Sequence, residues 1–157
     1  MTPLHAALIG QLQQDLAELE RLVRETTRLL QKFQTTRDED YLGTIALNLH
    51  SYYTGVERLL EDIARTLDEF IPEGADWHRR LLRQMSAELP DLRPPVLSVA
   101  TRQVLDDYRA FRHVVRNIYS FDLRSDRIES LGNQIGQIHQ QFQGDVMKFC
   151  EFLRTVS

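Results

Sequence analysis

LHSYYTGVERLLEDIA, residues 49–64, decides the fold. Leu49, Tyr52, Val56, Leu59 and Ile63 return every three or four positions, which puts them on one face of an α-helix. Extended both ways, the seam takes in Ile45, Leu67 and Phe70, nearly a heptad repeat, and predicts a helix from about Glu39 to Phe70. Gly43 and Gly55 lie inside it. Each costs up to about 1 kcal/mol against alanine in a helix interior, so they either admit another backbone or mark a local weakness, with close packing the favoured reading. His50, Tyr53 and Glu57 share a stripe away from part of the seam and read as a solvated or partner-facing surface.

The flanking sequence repeats the pattern. Thr2 and Pro3 form a helix start, and Leu4, Leu8, Leu12, Leu16, Leu19, Val23, Leu29, Leu30 and Phe33 carry an apolar face to about Gln34, before the polar break TTRDED at 35–40. Ile-Pro-Glu-Gly at 71–74 ends the central helix. A short helix with Trp77, Leu81, Leu82 and Met85 follows, expected to cross one end as a lid, and PDLRPP at 90–95 breaks the chain again. A helix from near Leu97 buries Val104, Tyr108, Phe111, Val115 and Ile118; SFDLRSD at 120–126 turns out of it. The last helix, about 126–154, buries Ile128, Leu131, Ile135, Ile138, Phe142, Val146, Phe149 and Phe152 or Leu153. No alternating strand pattern occurs. The expectation is an all-α protein: one domain over residues 1–157, an up-and-down bundle of four long helices plus one short crossing helix.

Composition narrows the function. The 157 residues carry a formal charge of -4, which argues against non-specific coating of nucleic acid but leaves room for a local basic site. All basic residues but Lys32 and Lys148 are arginine, the side chain suited to bidentate phosphate recognition. The one cysteine, Cys150, sits in apolar FCEFL and reads as an inert buried thiol. No signal peptide or membrane span is evident, so a soluble cytoplasmic protein without membrane contact is expected. His5, His50, His78, His113 and His139 lack the i, i+3 or i+4 partners of helical metal sites, and no phosphate loop or dinucleotide fingerprint is present, so neither metal nor cofactor is expected. The acidic neighbours Glu61 with Asp62 and Asp106 with Asp107 read as solvated surface.

One stretch reverses the overall sign. YRAFRHVVRNIY, residues 108–119, holds Arg109, Arg112, His113 and Arg116 with no acidic residue. On a helix Arg112 and Arg116 lie one turn apart, Tyr119 returns near their line, and His113 sits above Asn117 on a more outward face, with the apolar seam on the other flank. Two guanidiniums beside an imidazole and a phenol suit a phosphodiester: the arginines hold its anionic oxygens while a histidine moves protons. The alternative is that these arginines pair with acids on another helix or on a partner.

FRHVVRNIY, together with LHSYYTGVERLLEDIA and the WHRRLL of residues 77–82, resembles the HepT-like branch of the HEPN superfamily of small all-helical ribonucleases. The family motif is an arginine, a polar residue, three variable positions and a histidine, often followed two places later by a tyrosine. These positions fall on Arg112, on His113, on Val114, Val115 and Arg116, on Asn117, and on Tyr119. The resemblance implies a metal-independent RNA endonuclease, a homodimeric toxin whose two motifs line one cleft. It also implies a minimal nucleotidyltransferase antitoxin as partner, which adenylylates the motif tyrosine, here Tyr119. Catalysis would rest on Arg112, His113 and Asn117, with Arg109 and Arg116 on phosphate or RNA. Asparagine at the histidine position orients by hydrogen bonding but moves no proton near pH 7. His113 then either substitutes for the missing acid-base group, or the chain keeps fold and partner without nuclease activity. A third reading is a purely structural bundle that self-associates. The Arg112 and His113 face is expected near a symmetric interface.

Overall fold

In the computed structural model, which describes residues 1–116 and 124–156 but not the side chains of His113, Val114 and Arg116, the described residues form five α-helices. They are α1 (Pro3–Thr36), α2 (Asp40–Ile63), α3 (Trp77–Met85), α4 (Val99–Arg116) and α5 (Ser125–Thr155), and no strand occurs among the described residues. The architecture is the expected all-α bundle. Ile118 and residues 120–123 of the expected turn lie outside the described residues.

Local chemistry sets the boundaries. Thr2 Oγ1 accepts from the His5 amide at 3.1 Å, and Pro3 opens α1 where an amide would have no intrahelical acceptor. At the other end Arg37 turns left-handed, φ 56°, and returns its N–H to the Phe33 carbonyl at 2.7 Å. Leu4, placed in the seam by its spacing, is 57% exposed, because the first turn of α1 runs past the core.

α2 packs against α1, α3, α4 and α5, and so is the hub of the bundle. Ile45, Leu49, Tyr52, Val56, Leu59 and Ile63 are all buried. A second row, Leu42, Ala46, Tyr53, Leu60 and Ala64, is buried beside them, as a helix enclosed on several sides requires. A β-carbon on Gly55 would stand 2.7 Å from Leu19 Cδ2, so this glycine does let α1 and α2 close together, whereas Gly43 has no atom that near.

The central helix ends earlier than its seam suggests. Residues Ala64–Asp68 form one π-helical turn, Glu69 turns left-handed at φ 53°, and the chain leaves the helix. Leu67 stays against the core, but Phe70 is 56% exposed: the change of backbone at Glu69 takes it off the helical face. Asp68 holds the following segment. Its two carboxylate oxygens accept from Arg93 Nε and Nη2 at 2.7 and 2.8 Å, and Gln84 Nε2 adds a bond at 2.8 Å. Arg93 also donates to the carbonyls of Gln84, Ala87 and Pro94, so the guanidinium ties α2, α3 and the loop before α4 into one unit.

Between α2, α4 and α5 the core contains a polar line. Tyr108 donates to the Leu131 carbonyl at 2.7 Å, and its ring meets Tyr52 edge-on. The Tyr52 hydroxyl lies 3.1 Å from His139 Nδ1, while His139 Nε2 is buried with no hydrogen-bond partner among the described residues. Burial holds the His139 imidazole below its ordinary value of 6.5 and pushes the Cys150 thiol up, as befits an inert core cysteine.

Arg93→Ala leaves the Asp68 charge buried with only Gln84, and urea denaturation should show a loss of about 3–5 kcal/mol. Arg37→Ala, which removes an exposed pair with Glu129, should cost no more than about 1 kcal/mol. For His139, whose folded pKa is depressed, the unfolded chain takes up the proton first. Its contribution is therefore complete above about pH 6.5 and is lost as pH falls below that value, by at most about 1.4 kcal/mol per pH unit. His139→Gln should remove this acid-side slope from a series of melts.

Candidate functional site

Two arginines of residues 108–119, Arg109 and Arg112, meet acids that lie outside the stretch. Arg109 Nε donates to Asp106 Oδ1, 2.6 Å away and one turn earlier on α4. Arg112 turns inward, with 15% of its side chain exposed, and Nη1 lies 3.4 Å from Glu57 Oε1 on α2. The same nitrogen lies 2.8 Å from both ring nitrogens of His78 on α3. A position equidistant from both and within the ring plane would overlap a ring carbon, so the guanidinium stands over the imidazole face.

Glu57 is the centre of this cluster. Only 3% exposed, it holds His78 Nδ1 at 2.5 Å through Oε2. A carboxylate only accepts, so Nδ1 carries the hydrogen and Nε2 is the basic nitrogen of the neutral ring. Trp77 stacks on His78 with ring centroids 3.7 Å apart. Two large groups cannot occupy one face, so the imidazole is held between the Trp77 indole and the Arg112 guanidinium. The Nε2 lone pair lies in the ring plane, away from both.

Tyr53, one turn before Glu57, is fully buried, and desolvation first and the adjacent Glu57 charge second drive its phenol far above the ordinary value. Glu61, one turn after, is also raised, by burial and then by Glu57. Arg112 Nε is buried and has no hydrogen-bond acceptor among the described residues. Unpaired buried donors are rare enough in native proteins to mark a place where an acceptor is missing.

The site departs from the sequence expectation at the α2 stripe. His50, Tyr53 and Glu57 do not form a solvated stripe: Tyr53 and Glu57 are in the core because α2 is covered on several sides, and only His50 remains partly exposed. Arg112 is locked against α2 and α3, which is the alternative in which these arginines pair with acids on another helix. Asn117 and Tyr119 lie outside the described residues, as do the side chains of His113 and Arg116. Glu57 and His78 are the functional candidates that spacing missed. Glu57 follows Tyr53 by four and precedes Leu60 by three, so a second apolar seam ran through its position.

A profile of HepT-like proteins matches residues 44–153, a span that contains Glu57, His78 and Arg112. The chain belongs to the HepT-like family. No curated protein and no solved structure matches it. In this HepT-like chain no group of three or more His, Cys, Asp or Glu side chains is placed to hold a metal ion among the described residues. Among them no helix is long and apolar enough to cross a membrane.

Glu57→Gln keeps the shape of this side chain but leaves Arg112 without its counter-charge and His78 without its carboxylate acceptor. The expected cost is about 3 kcal/mol in chemical denaturation. Glu61→Gln, one turn away and more exposed, should stay within about 0.5 kcal/mol.

Proposed function

We propose that this protein is a HepT-like toxin: a metal-independent RNA endonuclease that acts as a homodimer and is neutralised by a minimal nucleotidyltransferase antitoxin. The observation that carries the catalytic part is the contact between the motif arginine, Arg112, and a histidine oriented by a buried carboxylate. The family motif pairs an arginine with a histidine, and Asn117 removes that histidine. His78 restores the pair from another helix, in the arrangement in which a carboxylate fixes the tautomer of a general base.

In this reading His78 Nε2 takes the proton of a ribose 2′-hydroxyl. The 2′ oxygen bonds to phosphorus, the bond from phosphorus to the 5′ oxygen breaks, and the departing oxygen takes a proton from His113. The products are a 2′,3′-cyclic phosphate and a 5′-hydroxyl. Arg112 and Arg116 hold the non-bridging oxygens as charge builds on them, with the orphan Nε of Arg112 as one donor. Arg109, already engaged by Asp106, assists through its field, and Asn117 orients the phosphate. Tyr119 is the residue the antitoxin adenylylates, which adds a bulky anion to the motif.

A second reading is favoured by a specific observation. Glu57 already meets the charge of Arg112, and Asn117 moves no proton near neutral pH, which suits a non-catalytic bundle that docks the nucleotidyltransferase. Incubation with RNA separates the two. The first reading expects cleavage with 2′,3′-cyclic ends, reduced about 10²–10⁴-fold in His78→Ala and in Arg112→Ala. Wild-type protein that cleaves no more than Arg112→Ala would leave the non-catalytic reading standing.

A further inference from the structure

α3 and α4 enclose a second feature beside the Arg112 cluster, a cleft of about 400 Å³ lined by Arg79, Leu82, Arg83, Arg102, Gln103 and Asp106. Arg79 and Arg83 stand one turn apart on α3, both exposed, and face Arg102 on α4 across it. Among the described residues none of the three has an acidic partner, and Arg102 donates only to the neutral Ser86 hydroxyl, at 3.3 Å. The one carboxylate in the lining, Asp106, is taken by Arg109. Three guanidiniums therefore share a concave surface with no counter-charge of their own, on a chain whose net charge is -4.

We infer that this cleft binds the phosphate backbone of single-stranded RNA, leading the strand to the His78–Arg112 site. The inference rests on the endonuclease reading. Guanidinium forks pair with phosphate oxygens in bidentate fashion, which favours a phosphodiester over a surface that needs apolar anchoring. The lining offers no aromatic ring for base stacking, so recognition is of the backbone and tolerant of sequence. The cleft and the site are built on the same two helices. His78 directly precedes Arg79 on α3, and Arg112 lies ten positions after Arg102 on α4, roughly 15 Å at 1.5 Å per residue. That span accommodates a few nucleotides on one side of the scissile bond.

The test uses a 2′-O-methyl RNA oligonucleotide, which lacks the attacking hydroxyl and so reports binding without cleavage. Its affinity for the full chain is measured by fluorescence anisotropy across a salt series. Arg79→Gln, Arg83→Gln and Arg102→Gln combined should weaken binding at least tenfold at low salt. They should also lower the slope of log affinity against log salt by about 2, at about 0.7 per lost phosphate contact. Arg21→Gln, Arg24→Gln and Arg28→Gln on α1, which change net charge equally, should leave the slope near wild type. Binding by the cleft variant equal to wild type would overturn the cleft and leave the endonuclease reading intact. Wild-type protein that neither binds nor cleaves RNA would overturn both. A cleft variant that keeps RNA affinity but loses a nucleotidyltransferase partner would show the cleft to be a protein dock, and the inference would be wrong.

Discussion

A carboxylate buried in the middle of the hub helix is the constraint on which the candidate site depends. Glu57 is 3% exposed, and an ion taken that far out of water costs several kcal/mol unless partners surround it. His78 comes from α3 and Arg112 from α4, so the seating of both helices on α2 is fixed by charge and hydrogen bonding as well as by apolar contact. Apolar packing alone tolerates small slips of one helix along another; a 2.5 Å bond to a buried oxygen does not. The feature that pins the fold here also sets the imidazole's tautomer and plane.

The Asp68–Arg93 pair performs the complementary task at the end of α2. The π turn carries Asp68 inward, and Arg93 spends its remaining donors on carbonyls of α3 and of the loop before α4. α3 is only nine residues long, too short to be stable by itself in water. Held by Arg93 at its C-terminal end and by the Glu57–His78 contact near its N-terminal end, it presents His78 from a fixed platform. In the proposed reaction, a group that transfers a proton would gain from this, since small displacements of a catalytic side chain are costly.

How much of this was legible in the sequence can be followed residue by residue. The helices were legible because their apolar positions step by three and four and because Thr2-Pro3 and Ile-Pro-Glu-Gly punctuate them in the right places. Phe70 was placed wrongly because periodicity continues past Glu69 while the backbone does not; a left-handed φ at a glutamate leaves no compositional trace. Arg112 was recognisable as important, but its neighbours were not. Glu57 and His78 are 21 residues apart in the chain and meet only after α3 folds back, a long-range contact invisible to helical spacing. A charged residue is rarely buried, and that general tendency misassigned the Glu57 stripe despite apolar residues on either side of it.

The distribution of arginine partners gives the charge of -4 its proper meaning. A field at a protein surface is set by the charges within about a Debye length, roughly 10 Å, and not by the sum over the chain. Arg109 and Arg112, which looked unopposed in sequence, are neutralised at short range by Asp106 and Glu57 and contribute little attraction at a distance. Arg79, Arg83 and Arg102 looked ordinary, yet among the described residues none of them forms an ion pair, and the carboxylate that lines their cleft, Asp106, is engaged by Arg109. In the proposed endonuclease, attraction and chemistry fall to different arginines. Unpaired ones would draw an anion in from solvent, while a buried one, held off by a carboxylate until a stronger acceptor arrives, would meet the charge that develops during reaction. Such a division would let a weakly acidic chain engage a polyanion at one cleft without binding it everywhere.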